Sequence, residues 1–155
     1  MFEWLENTSV ALWVGESLWA YPFWLSLHVM GLAVVVGIFS MRDLRLLGMF
    51  SGIRPAAFLS LSKFAWIGFI VNAVSGAALF TSQATTFVSS TPFLLKLSFI
   101  AVGMVLATVI QSRLRGELAD AGGDASISGS TKLIALLSLL CWVIAIITGR
   151  LIAYI

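Results

Sequence analysis

Charge is scarce in this chain of 155 residues: only 10% are Asp, Glu, Lys or Arg, and 60% are hydrophobic. An ordinary soluble domain carries roughly 25% charged residues, so a water-soluble globule is excluded. A nucleic-acid surface is excluded as well. Neutralising several phosphates takes Lys and Arg clustered on a solvated face, whereas the basic residues here stand beside apolar segments and the net charge is only +2. Cys141 is the single cysteine, so no internal disulfide forms, and its setting in LLSLLCWVIAII marks inert packing. His28 is the single histidine, so one chain cannot build a bis-histidine centre. Prolines number three, and Pro22 and Pro92 fall where a helix tolerates them, in the first turn.

What remains is long apolar runs. The stretch SLWAYPFWLSLHVMGLAVVVGIFSMRDLRLLG, from Ser17 to Gly48, holds about twenty apolar residues between Tyr21 and Met41, the length that crosses a ~30 Å hydrocarbon core. Three more such runs follow. The chain therefore predicts an all-α, polytopic membrane four-helix bundle in a single domain over 1–155, with spans near 21–41, 61–81, 92–111 and 133–154. At the N-terminal end, into the first turn of the first span, Trp4, Trp13, Trp19, Tyr21 and Trp24 crowd together as aromatic residues do at a membrane–water boundary. Glu3 and Glu6 stand where a signal peptide would be basic, so a short interfacial helix is expected there. SQATTFVSST reads as an uncharged loop, and Arg113–Lys132 as a flexible soluble loop.

Basic residues set an orientation. Arg42, Arg45, Arg54 and Lys63 border the first connection between spans; Arg113, Arg115 and Lys132 border the third; the N-terminal segment and the middle loop have none. By the positive-inside rule, both termini face away from the cytoplasm, which in a bacterial inner membrane means the periplasm.

That orientation gathers the polar residues of the spans in one outer layer: His28 on the first, Asn72 and Ser75 on the second, Lys96 on the third and Arg150 on the fourth. An ionisable residue inside a membrane is costly and marks a functional site by default. A haem b suits this set. Its iron takes an imidazole nitrogen from His28, and its propionates require cations such as Lys96 and Arg150. Gly31, one turn from His28, would leave room for a flat macrocycle. Other readings stand beside this one: His28 as a structural histidine bonded to a neighbouring helix, or copper held with Met30 and Met104 as a thin ligand supply. Lys96 and Arg150 can also snorkel to the boundary. Arg42, Asp43 and Arg45 read as an inner-surface anchor. With one histidine per chain, the iron is five-coordinate, takes a Met, or is shared by two subunits of a homo-oligomer paired through the small residues around Gly31.

The segments FEWLENT, ESLWAYPFWLSLHVMGLAVVVG, RDLRLLG, FAWIGFIVNAVSGAALF, PFLLKLSFI and GRLIAYI resemble an uncharacterised family of bacterial four-helix inner-membrane proteins, over nearly the whole chain. More distantly, the helix layout is similar to the copper-resistance D family and to bacterial membrane protoporphyrinogen oxidases. The likeness to the oxidases implies a haem-binding histidine at His28 and a functional lysine at Lys96. The chain differs from that pattern in its tryptophan-rich N-terminus and in Arg150. A haem protein of electron transfer or membrane redox chemistry, with a redox partner, is the expectation. The alternatives are a copper-handling or transport protein and a non-catalytic subunit of a membrane complex.

Overall fold

A computed structural model describes residues 2–120 and 127–154. Seven helices lie among them: α1 Glu3–Glu6, α2 Ser9–Glu16, α3 Ala20–Leu46, α4 Ala57–Thr81, α5 Ala84–Ser89, α6 Thr91–Asp120 and α7 Gly129–Leu151. Four of these, α3, α4, α6 and α7, are long and apolar enough to cross a membrane. The protein is a multi-pass membrane bundle, as its composition requires. Large apolar side chains such as Val29, Met30, Ile67, Ile70, Val105 and Ile147 stand on its outside, where lipid replaces water as their solvent.

In lipid, helices gain nothing from hiding apolar surface, so close backbone approach and polar contacts must hold them together. The chain does this first between α3 and α4, its most extensive helix pair. A Cβ built on Gly31 would lie 2.7 Å from the Asn72 backbone nitrogen and 2.8 Å from the Gly68 carbonyl oxygen; one on Gly68 would lie 2.8 Å from Val34 Cγ1. Only glycine at these positions lets the two backbones touch. The space beside Gly31, expected to receive a macrocycle or a second subunit, is therefore filled by α4 of the same chain.

α7 packs between α3 and α6, while α4 and α6 meet only sparsely. The contacts arrange themselves in layers along the bundle. Val35, Phe39, Ala65, Met104, Ala107 and Trp142 form one buried apolar cluster, with Phe39 stacked on Trp142 at a centroid distance of 5.8 Å. Further along, towards the Arg- and Lys-bearing connections, Leu46, Ile110, Leu114 and Ala135 form a second. Between the two lies a polar layer containing Arg42 and Asp43.

The helix ends depart from the expected spans. α3 runs five residues past Met41, because Arg42 and Asp43 neutralise each other inside the protein and the helix need not stop at them. α6 continues through Arg113–Asp120 as helix rather than loop. Its Glu117 accepts from Ser128 and Thr131 Oγ1, and its Arg113 donates to Ser130 Oγ, so the polar turns are tied to the start of α7. Residues 121–126 of the expected flexible loop lie outside the described residues. α7 begins earlier than expected because Ser128 caps it, accepting from the Thr131 amide.

The N-terminal segment and the middle loop also gain structure. Two short helices, α1 and α2, replace the single interfacial helix, and part of the uncharged loop becomes α5. The cause is tertiary. Glu6 accepts hydrogen bonds from the Thr85 amide and hydroxyl at the start of α5, which hold its carboxyl below the usual carboxylate range. Phe80, Phe87 and Phe93 stack beside it, and Phe2 meets Phe80 edge-on.

Candidate functional site

His28 lies on the α3 face that meets α4. Its Nδ1 stands 2.9 Å from the Asn72 carbonyl oxygen, and the Asn72 side-chain amide returns a 2.8 Å bond to the His28 carbonyl. Interhelical hydrogen bonds in membranes average about 0.6 kcal/mol and reach about 1.7, so this reciprocal clasp contributes on the order of 1–3 kcal/mol. Ser75 Oγ lies 3.4 Å from the same Nδ1 while donating to its own helix at Val71 O. Gly76 completes the wall: a Cβ there would come within 2.9 Å of His28 Cε1. Asn72 and Ser75 thus orient the imidazole.

That orientation has a chemical consequence. A carbonyl oxygen only accepts, so Nδ1 carries the hydrogen of the neutral ring, and Nε2 keeps its lone pair. A metal-ligating histidine is held in this way, with its second nitrogen donating to a backbone carbonyl or carboxylate.

Lys96 comes to the same layer from α6. Its stem lies against Gly149 of α7, with Cδ 3.4 Å from where a Cβ would be. Among the described residues the one ion pair is Arg42–Asp43, and none of their carboxylates pairs with Lys96. One turn before His28, the Trp24 indole N–H is buried without a hydrogen-bond partner. Both buried apolar clusters lie inward of this layer, and here Trp24, His28 and Lys96 are only half-buried. α3 and α4 thus hold His28, Asn72 and Ser75 together, and Lys96 of α6 lies against Gly149 of α7.

Two of the expected site residues play other parts. Gly31 is a contact glycine against α4. Arg150 is exposed, and its guanidinium turns to Tyr154, 6.0 Å from the ring centroid and 3.4 Å from the hydroxyl. It follows Gly149, which faces Lys96, and one residue turns a helix by about 100°. The possible methionine ligands are also elsewhere: Met30 is exposed, and Met104 belongs to the apolar cluster around Trp142. Among the described residues no group of three His, Cys, Asp or Glu side chains could hold a metal ion. A single-ligand metal group is not affected by that.

A groove of about 520 Å³ opens at the end of the bundle beside α2, lined by Glu6, Leu12, Glu16, Tyr21 and Gln83 among others. Its two carboxylates make it unsuited to an anionic group, and His28 and Lys96 are not in its walls.

A family model spans residues 1–155 of the sequence. The chain belongs to the family of unknown function DUF6644. No curated protein and no solved structure matches it. Membership of an uncharacterised family agrees with the resemblance carried by the HVMG and RDLRLLG segments. The distant likeness to the copper-resistance D family and to the protoporphyrinogen oxidases is not among these matches.

What sequence reasoning missed in this DUF6644 chain is the interior position of Arg42 and Asp43, which are 1% and 0% exposed. Arg42 donates to Asp43 Oδ1 through Nε at 2.9 Å and through a terminal nitrogen at 2.8 Å, and its other terminal nitrogen reaches the Ala107 carbonyl of α6 at 3.1 Å. The available signal was the adjacency of opposite charges within a continuous helical run.

Proposed function

We propose that this protein binds haem b through His28 Nε2 and serves electron transfer or membrane redox chemistry near the outer face of a bacterial inner membrane. The observation that carries this reading is the His28–Asn72 clasp, which fixes the imidazole and leaves Nε2 as a free donor. Two further groups of the same layer fit the rest of the cofactor. Lys96 and the Trp24 N–H supply a cation and a hydrogen-bond donor for propionate carboxylates, in place of the Arg150 expected from sequence. When bound, haem iron supplies reversible one-electron chemistry. The residues of this chain would hold the group through the His28 imidazole, fixed by Asn72, and Lys96 would offset the charge of its carboxylates. Copper handling lacks a comparable ligand set.

Gly31 is occupied by α4, so the route to a haem shared across a two-fold axis through that glycine is closed. The proposal is accordingly one haem per chain, within a homo-oligomer, with an open or weakly held sixth position. Purified protein should show a Soret band, one haem per polypeptide, a high-spin spectrum and ready binding of carbon monoxide. A colourless protein after expression with ample haem would sink the haem reading. A low-spin bis-imidazole spectrum at one haem per two chains would restore sharing.

Orientation belongs to the same proposal. Seven of the nine basic residues, Arg42, Arg45, Arg54, Lys63, Arg113, Arg115 and Lys132, lie at one end of the bundle or in its connections. The positive-inside rule makes that end cytoplasmic and both termini periplasmic. Reporter fusions at Ala84 and after residue 155 should be active only outside the cytoplasm, and fusions within 122–129 only inside. The reverse pattern would turn the His28 layer towards the cytoplasm.

A further inference from the structure

We infer that the inner half of the bundle contains a second, independent site, which binds ordered water between Asp43, Ser138 and Trp142. It requires nothing of His28. Both guanidinium bonds to Asp43 end on Oδ1, leaving Oδ2 buried without a partner. Ser138, on α7, is near enough to this carboxylate to act on it, but its buried hydroxyl lies beyond direct hydrogen-bond length from any partner. Hydroxyls inside helices commonly bond back to a carbonyl of the preceding turn, as Thr148 does to Ile144 O at 2.8 Å on the same helix. Ser138 does not, so its oxygen is turned away from its own backbone.

The third orphan is the Trp142 indole N–H, which is likewise buried without a partner. Trp142 lies four residues after Ser138, hence on the same helix face, and long helical side chains lean back over the preceding turn. Its indole is further tied to the layer through Phe39, which stacks on it and carries Arg42 at 4.9 Å from the ring centroid.

Three buried polar atoms without partners on neighbouring turns of α3 and α7 are a deficit that folded proteins rarely leave open. Their types are complementary to one small molecule. A water donates to Asp43 Oδ2 and accepts from the Trp142 N–H and the Ser138 O–H, which gives it the three bonds typical of a buried water. The apolar clusters containing Met104 on one side and Leu46 and Ile110 on the other close the site along the bundle, so the water would be long-lived.

The full-length protein in nanodiscs, with indole nitrogens labelled, tests this. The Trp142 N–H, assigned by its loss in Trp142→Phe, should show magnetisation transfer from water despite its burial, and Ser138→Ala should weaken that transfer. Ser138→Ala should also lower the thermal midpoint by several degrees, while Ser138→Thr should retain most of it. Absence of the water signal overturns the site, since Asp43 and Ser138 would then simply bond to each other. A midpoint unchanged or raised in Ser138→Ala overturns it too, because removing an orphan hydroxyl from a dry interior is neutral or stabilising.

Discussion

Replacing His28 with alanine is expected to strip the protein of haem, with loss of essentially the whole Soret absorbance, while leaving a membrane-inserted four-helix bundle. The substitution removes the only imidazole and one half of the clasp with Asn72, but no contact glycine and no part of the buried ion pair. Because the Asn72 amide bonds to the backbone carbonyl of residue 28, that bond does not depend on the side chain. The stability lost is therefore small beside the ligand effect. A purely structural histidine would also tolerate this change, so imidazole added to the alanine protein provides the discriminating measurement. It should enter the vacated space and restore the absorbance if Nε2 is the iron ligand. Asn72→Ala should act more mildly. It leaves Nδ1 on the Asn72 backbone carbonyl and removes only the side-chain bond to the His28 carbonyl, so most of the absorbance should be retained. A His28→Ala protein with its full haem complement and an unchanged spectrum would remove the ligand assignment altogether.

Much of this arrangement is legible in the sequence, and the reasons are particular. An apolar run such as LIALLSLL, Leu133–Leu140, continued by CWVIAII, has no stable home but lipid, so four spans can be read directly. His28, Asn72, Ser75 and Lys96 can be read as one layer because the spans alternate in direction and polar residues within them are few. The contents of a glycine's empty space cannot be read. Gly31 offers the same local pattern whether a macrocycle, a second subunit or Gly68 lies beside it, and only the fold selects α4. Arg150 illustrates the same limit, since depth in the membrane follows from residue number but facing depends on helix rotation. α5 was invisible for another reason: its first turn is held by Glu6, 79 residues earlier in the chain.

Arg42 and Asp43 carry the second large effect. Asp43→Ala is expected to destabilise the bundle by about 3–5 kcal/mol, because it leaves a guanidinium in the interior without its carboxylate. The figure applies undiscounted here, as both partners are essentially without exposure. The remaining bond to the Ala107 carbonyl cannot balance the charge. The effect belongs to the broken pair and not to polarity itself, and a second variant separates the two. Replacing Arg42 by Met and Asp43 by Leu together removes both charges along with their desolvation cost, and should recover most of the loss, ending near or above the parent protein. The two substitutions should therefore be strongly non-additive in a double-mutant cycle. What the pair supplies in return is register. α6 offers the Ala107 carbonyl at the level of Arg42 only when Met104 meets Phe39 and Ile110 meets Leu46, so sliding α6 by one turn would strand the guanidinium against apolar side chains. The double variant, although stable, should thus lose definition in the packing of α6, visible as broadened or doubled resonances from Met104. An Asp43→Ala protein within about 1 kcal/mol of the parent would mean that Arg42 reaches water or lipid phosphate by snorkelling, and the buried layer between the two apolar clusters would have to be abandoned.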